Sequence, residues 1–240
     1  MRLSCWEVSL TIVYRSTALL LLIAGSLMSQ GPIDTTTIPP WDGETFAQHF
    51  GVPNTATYGQ TIRIAPGSAV ISSFGFEIGN CNASVTFRGE IYAWDGAEAT
   101  GPSLFESPVT TQGASNSFHL VTFNTGALTL PPGNYVIFAT TSRDQVTASR
   151  CQWGALSDAT AYPGGNHVYL NNGADPSQWT SVAWGTEPFD LAFQVNMSPV
   201  PPPTPVTGVP AASPATLLLG FAGVIALGLL GLSRLRRIAR

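Results

Sequence analysis

The chain has 240 residues, a formal net charge of −4 and 44% hydrophobic residues, enough for one domain with a core of its own. All ten basic residues are arginine, and Arg2, Arg15, Arg234, Arg236, Arg237 and Arg240 sit in the two ends. That leaves Arg63, Arg88, Arg143 and Arg150 against thirteen acids, so the body is strongly acidic, and its field excludes nucleic acid as a partner while admitting cations and neutral polar ligands.

Residues 1–29 read as a secretory signal peptide. Arg2 and Arg15 precede an apolar run over 18–24, and Gly25, Ser26 and Ser29 supply the small residues that a signal peptidase requires. The run is too short to cross a bilayer, which takes about 20 residues. Cleavage is expected between Ala24 and Gln30, with an uncleaved anchor as the alternative.

Residues 30–197 show no shift in composition that would mark a second domain, and their hydrophobic period is two. Ser72-Ser73-Phe74-Gly75-Phe76-Glu77-Ile78 alternates, and residues 85–94 are rich in strand formers. Strands are predicted over 70–78, 85–94, 117–123, 135–141, 167–170 and 189–195. Turn signals stand between them: Ala65-Pro66-Gly67-Ser68, Asp95-Gly96, Pro131-Pro132-Gly133-Asn134, Pro163-Gly164-Gly165-Asn166 and Asn171-Asn172-Gly173. No window of the body holds a period of 3.6 long enough for an ordinary helix. Many short strands broken by Gly and Pro predict an all-β fold, a single jelly-roll-like antiparallel sandwich. Cys5 falls in the signal, so the mature chain keeps Cys81 and Cys151; in an exported chain these most simply form a disulfide, two buried free thiols being the alternative.

Residues 198–214 are a proline-rich linker and sorting motif that favours an extended polyproline conformation and works as a spacer. Residues 215–233 are apolar, and an uncharged run of this length reaches roughly 27 Å as a helix, close to the hydrocarbon core of a bilayer. The arginines of 234–240 follow at once. Basic residues flanking a span stay on the cytoplasmic side, so the domain is expected on the opposite face. The chain is thus expected to be exported, either membrane-anchored or at the bacterial cell surface or extracellular matrix.

Tyr92-Ala93-Trp94-Asp95-Gly96, the stretch from Ala99 through Phe105 to Ser107, Leu130-Pro131-Pro132-Gly133-Asn134-Tyr135, Tyr162-Pro163-Gly164-Gly165, Asn171-Asn172-Gly173, Trp179-Thr180 and Asp190-Leu191-Ala192-Phe193 follow in order. Together they resemble a jelly-roll-like β-sandwich domain of exported bacterial proteins that carry PEP-CTERM-type sorting tails. The resemblance covers most of residues 57–195 and lies in the order of the pieces. It implies fold and location, since that family has no generally assigned activity. The tail resembles the same sorting system, but reads Val209-Pro210-Ala211-Ala212-Ser213-Pro214 in place of Pro-Glu-Pro, a variant Val-Pro form. It implies processing by an exosortase-like transpeptidase, with a retained membrane anchor as the alternative.

No Gly-x-Ser-x-Gly elbow, His-Glu-x-x-His, Cys-x-x-Cys or phosphate-binding Gly-x-x-x-x-Gly-Lys is present, so no catalytic residue is assigned. His49, His119 and His167 have no shared spacing that marks a metal site. Glu77, Glu90 and Glu106 are the carboxylates from which a glycosidase pair would be drawn, and the separation that decides such a role is not in the sequence. Trp153, Tyr162, Tyr169, Trp179 and Trp184 stand among Gly, Asn, Asp and Ser. Flat apolar rings beside amide donors suit a sugar, which has an apolar C–H face and a hydroxyl rim. Tyr162 and Trp179 lie in turn-rich segments and are expected to be exposed, with the amides of Asn166, Asn171 and Asn172 beside them; the alternative is that the aromatics fill the core. A structural calcium is the one cofactor considered: Asp34, Asp42 and Glu44 precede the first predicted strand and Asp190 sits on the last, so acids from both ends would tie the terminal strands together. The sequence therefore points to a non-catalytic exported surface or matrix protein contacting extracellular polysaccharide. A structural envelope component without a ligand is second, and a glycan-active hydrolase third.

Overall fold

The computed structural model describes residues 33–200, apart from residues 39, 54, 68, 159 and 160. The expected signal peptide, the expected linker beyond residue 200, the apolar run over 215–233 and the arginines of 234–240 all lie outside the described residues. The strands are β1 (Ile33–Thr36), β2 (Phe46–Phe50), β3 (Thr57–Ile64), β4 (Ala69–Cys81), β5 (Val85–Trp94), β6 (Ala99–Glu106) and β7 (Thr110–Gln112). They continue with β8 (Ser115–Leu130), β9 (Gly133–Thr140), β10 (Cys151–Leu156), β11 (His167–Leu170), β12 (Gly185–Glu187), β13 (Asp190–Leu191) and β14 (Phe193–Pro199), and a short 3₁₀ helix spans Pro176–Thr180.

The fold is all-β. One sheet runs β1-β14-β4-β10-β13, with β2 beside β10 and β8 beside β4; the other runs β12-β11-β3-β9-β5-β6, with β7 beside β5. Every ladder is antiparallel. Alternation explains the sandwich: Phe74, Phe76 and Ile78 of β4 and Phe193 and Val195 of β14 turn one way, and Phe87 and Ile91 of β5 and Ile137 and Ala139 of β9 meet them from the other sheet. Trp153 of β10 closes one end of this core, with its ring centroid 4.6 Å from that of Phe76 and 4.9 Å from that of Phe50.

The second sheet is covered on its outer face as well. Val136 and Phe138 of β9 and Tyr92 of β5 pack under Val168, Leu170, Trp179 and Trp184, which form a second buried cluster. That double burial is why Tyr135-Val136-Ile137-Phe138-Ala139 is continuously apolar, the pattern of a strand with no solvent face. The segment after β11 lies over this face, held by Asp175, which accepts from the Ser177 amide at 3.0 Å and caps the 3₁₀ helix, and by the Trp184 amide, which donates to the Ala97 carbonyl at 2.9 Å.

The predicted disulfide is present: Cys81 at the end of β4 and Cys151 at the start of β10 are bonded, with Cα atoms 4.0 Å apart. The strand over 85–94 has its expected bounds, and that over 167–170 likewise. The strand predicted over 117–123 extends to Ser115–Leu130, because a bulge at Gly126, with φ 74°, carries the pairing past the point where alternation fades.

Candidate functional site

The turn between β1 and β2 builds a rigid aromatic platform. Asp42 Oδ1 accepts from the amides of Glu44 and Thr45, both at 2.8 Å, and Oδ2 accepts from the Thr45 hydroxyl at 2.6 Å. This is an Asx turn, closed by Gly43 in the left-handed region at φ 81°. The Thr45 hydroxyl and the two amides hold the Asp42 carboxyl down at about 2, so it is charged at neutral pH. Within this turn the Trp41 indole donates to the Thr45 carbonyl at 2.8 Å. Its ring packs against Gly154, where a β-carbon would stand 2.8 Å from Cζ2. Phe118 of β8 meets Trp41 edge-on at 5.3 Å, and Phe46 stacks on Phe118 at 6.4 Å.

Between Trp41 and the β4–β8 ladder lies an open cleft of about 720 Å³, lined by Trp41, Gly43, Glu44, Glu77, Asn80, Asn116, Ser117, Phe118 and His119. On the other side of Trp41 a smaller cleft of about 240 Å³ is lined by Pro40, Asp42, Thr45 and residues 155–158. The large cleft combines two aromatic rings, two side-chain amides and two carboxylates, without an arginine. Burial pushes the Glu77 carboxyl up, and the neighbouring His119 works against that. His119 is tied to Gln112 of β7 through a ring nitrogen 2.5 Å from the amide oxygen. β4 contributes Glu77 and Asn80 to the lining; at Gly79 between them a β-carbon would stand 2.2 Å from the Ser117 carbonyl oxygen, so glycine there lets β8 approach closely.

The residues expected to bind sugar differ in their surroundings. Trp179, expected to be exposed, is 1% exposed: it fills the second core cluster, and its indole donates to the Thr57 hydroxyl at 3.3 Å. A turn-rich segment here folds inward because the outer face of β9 is apolar. Tyr162 is half-buried, edge-on to Phe193 at 5.4 Å, and its hydroxyl accepts from the Arg63 amide at 3.0 Å. Asn172 is buried, accepting from the Thr57 hydroxyl at 2.9 Å and donating to the Asp175 carbonyl at 2.8 Å. Asn171 is exposed and accepts from the Thr55 hydroxyl at 2.7 Å; Asn166 is exposed, its backbone paired with Thr61. Trp179 and Asn172 are therefore parts of the fold's interior.

Of the acids expected to share a calcium, Asp42, Glu44 and Asp190 are among the described side chains. Asp42 is engaged by its own turn. Asp190 turns inward, is fully buried, and accepts from the Gln60 amide and the Tyr162 N–H, both at 2.8 Å. Asp34 pairs through its backbone with Asn196 in the β1–β14 ladder. Among the described residues no three acidic, His or Cys side chains come together as a metal set, and Asp42, Glu44 and Asp190 are no exception.

The carboxylates do include one close pair. Glu90 of β5 and Glu106 of β6 are direct cross-strand partners. Their oxygens are taken up by the fold: Ser103 donates to Glu90 at 2.8 Å, Arg143 approaches Glu90 at 3.4 Å, and Arg88 and Arg143 both bind Glu106. Arg88 also binds Asp144 through two bonds of 2.6 and 2.7 Å, and the Arg143 guanidinium lies 4.8 Å over the Trp179 ring. Burial pushes Glu90 up to about 7, further assisted by Glu106. Burial also acts on Glu106, but Arg143 and Arg88 bring it below its ordinary value. Glu90 is fully buried while Glu106 is exposed, so the pair works as a charge network that runs from the interior to the surface through Arg143 and Arg88.

Trp41 and Phe118 were not among the residues singled out by sequence. The signal for the turn was there, in Trp41-Asp42-Gly43; nothing local joined it to Phe118 or Gly154.

No family model matches this chain, and no curated protein matches its sequence. Among solved structures it is similar to the cysteine protease and lectin-like domains of Cwp84, a surface layer associated protein of Clostridium difficile, at a TM-score of 0.41 and 10% identity over 61% of this chain and 33% of that one. A structure of the clostridial cysteine protease Cwp84 after propeptide cleavage matches at a TM-score of 0.43 and 10% identity, over 66% of this chain and 38% of that one. The match thus spans 33% of the first of those two chains and 38% of the second.

Proposed function

We propose that this is a non-catalytic exported surface or matrix protein whose jelly-roll-like sandwich contacts polysaccharide through the cleft beside Trp41. The observation that carries the reading is the cleft's composition: the Trp41 and Phe118 rings stand with the amides of Asn80 and Asn116 and the carboxylates of Glu44 and Glu77 around one open cleft of about 720 Å³. A ring face accepts the C–H side of a sugar, amides donate to and accept from its hydroxyls, and carboxylates accept from them. Rigid mounting matters as much. The indole is fixed by Thr45 and Gly154 before any ligand arrives, so little ordering cost falls on binding. The Cys81–Cys151 bond supports export, since such bonds persist in oxidising compartments. The ends of the chain support it too, through the signal peptide over 1–29 and the Val-Pro tail, for which signal peptidase and an exosortase-like transpeptidase are the implied partners.

The test is retention on immobilised neutral and acidic polysaccharides by wild type, Trp41→Ala and Asn116→Ala. Trp41→Ala is expected to weaken retention by about 1–3 kcal/mol, the worth of one stacked ring. Asn116 is exposed, so Asn116→Ala is expected to weaken retention with no change in melting temperature. If wild type is retained and neither variant differs from it, the cleft is not the binding site. If wild type is retained on nothing, the structural-coat reading takes its place.

A further inference from the structure

The acidic and arginine side chains around Trp41 are all of one sign. Glu44 and Glu77 line the large cleft, Asp42 and Asp158 line the smaller one, and no arginine lines either. His119 is the basic residue of the lining, and its ring is tied to Gln112.

Elsewhere the fold takes up its carboxylates. Asp95 and Asp175 accept from backbone amides of their own turns, Asp190 accepts from Gln60 and Tyr162, and Glu90, Glu106 and Asp144 face arginines. Glu44 and Glu77 are different. Among the described residues neither carboxylate accepts a hydrogen bond or closes a salt bridge, although Glu77 is half-buried on β4 beside the Phe118 ring and the Trp41 turn. A carboxylate partly withdrawn from water is costly unless a donor meets it, and here a donor can come only from within the cleft.

We propose that the Trp41 cleft takes a polysaccharide carrying free amino groups, with a sugar ring against Trp41 and its ammonium on Glu77 and Glu44. This rests on the reading of the cleft as a polysaccharide site and names the class of sugar. A hydroxyl also donates to a carboxylate, but it leaves the charge uncompensated, whereas an ammonium donates and neutralises together. Its three N–H donors are satisfied by single carboxylates, and the face of an indole attracts it as well. A calcium ion would instead need about six to eight oxygens in one place. Among the described residues no three acidic, His or Cys side chains form such a set. A uronic acid or sulfated sugar would bring like charge to Glu44 and Glu77, in a body whose whole field is acidic.

The experiment titrates the full chain, in a neutral detergent, with three hexamers of one linkage that differ at a single position of each sugar: glucosamine, N-acetylglucosamine and glucose. At about pH 6 the amine holds its proton, and acetylation removes that charge while keeping the ring. Wild type is expected to bind the glucosamine hexamer at least about tenfold more tightly than either of the others. Glu77→Gln keeps the shape of the side chain and is expected to lose most of that preference. Glu44→Gln, at an exposed turn residue, is expected to lose about two- to fivefold. Glu98→Gln removes the same charge just before β6, in the other sheet, and is the control, expected to behave as wild type. Should Glu77→Gln fail to fold, Glu44→Gln decides. Equal binding of the three hexamers by wild type, with all three weakened by Trp41→Ala, overturns the inference and leaves the polysaccharide reading in place. A preference that survives in both cleft variants, or falls equally in Glu98→Gln, belongs to the general acidity of the body and overturns it too. If wild type binds none of the hexamers, or Trp41→Ala binds them as wild type does, the reading of the cleft fails and the inference with it.

Discussion

Replacing Glu90 with glutamine is expected to make the protein more stable at neutral pH and to change how its stability depends on pH. Glu90 is fully buried on β5, and burial pushes its carboxyl from an ordinary 4.5 to about 7. One pKa unit is worth about 1.4 kcal/mol, so the displacement corresponds to about 3 kcal/mol at most. Below pH 4.5 the folded and unfolded chains both hold the proton, and Glu90 costs nothing. Between 4.5 and 7 the unfolded chain has released its proton while the folded chain keeps it, so stability falls as pH rises; above 7 the whole cost is present. His167 acts in the opposite sense. Burial among Tyr58, Tyr169 and Phe189 pulls its ring down to about 3, and both ring nitrogens lack partners, so its contribution to stability is lost as pH falls from about 6.5. The raw profile mixes the two groups, so the quantity to read is the difference between wild type and Glu90→Gln in urea unfolding at pH steps from 4 to 8. Glutamine is isosteric and keeps an acceptor for the Ser103 hydroxyl, while Arg143 retains Glu106. The difference is expected to grow by about 1.4 kcal/mol per pH unit between 4.5 and 7 in favour of the variant, and then to level off. A difference constant across that range would show that Arg143 cancels the cost of burial, and the reasoning would fail.

Two further outcomes follow from the packing. Cys151→Ser opens a loop spanning a sequence separation of 70, and on the chain-entropy model it is expected to cost about 4 kcal/mol; urea unfolding should give the same value for wild type under reductant. Trp179→Ala is expected to cost about 3–5 kcal/mol, the range for emptying a buried large aromatic, with polysaccharide retention unchanged wherever the variant is folded. A small stability change with lost retention would return Trp179 to the binding site.

What could be read from sequence was whatever a single strand decides for itself. Phe74, Phe76 and Ile78 alternate with small or polar residues because only one face of β4 meets the core, and the strand was found on that pattern. The disulfide was legible because Cys5 falls in the expected signal peptide and two cysteines remain. β10 was not read as a strand: Cys151-Gln152-Trp153-Gly154-Ala155-Leu156 is buried almost throughout, so it lacks alternation, and its glycine answers to Trp41, more than a hundred residues earlier. The Glu90–Glu106 pairing was equally hidden, because it depends on the register between β5 and β6.

The fate of the aromatics follows from the face each one finds beneath it. β9 is apolar on both sides, and an outward face made of Val136 and Phe138 must be covered by something apolar. The segment carrying Trp179 and Trp184 does so, and those rings are spent on burial whatever their turn-rich surroundings suggest. β4 is different. The residues it gives the cleft are Glu77 and Asn80, which offer no apolar surface to cover, and the Trp41 turn rests on Gly154 of β10 and keeps its indole at the edge of that cleft. An aromatic in a loop is therefore better judged by the outward residues of the strands within its reach than by its own neighbours in sequence. On that criterion the continuous run in β9 already marks Trp179 as interior, and the polar Glu77 and Asn80 of β4 mark the surface where a ring beside a cleft has a place.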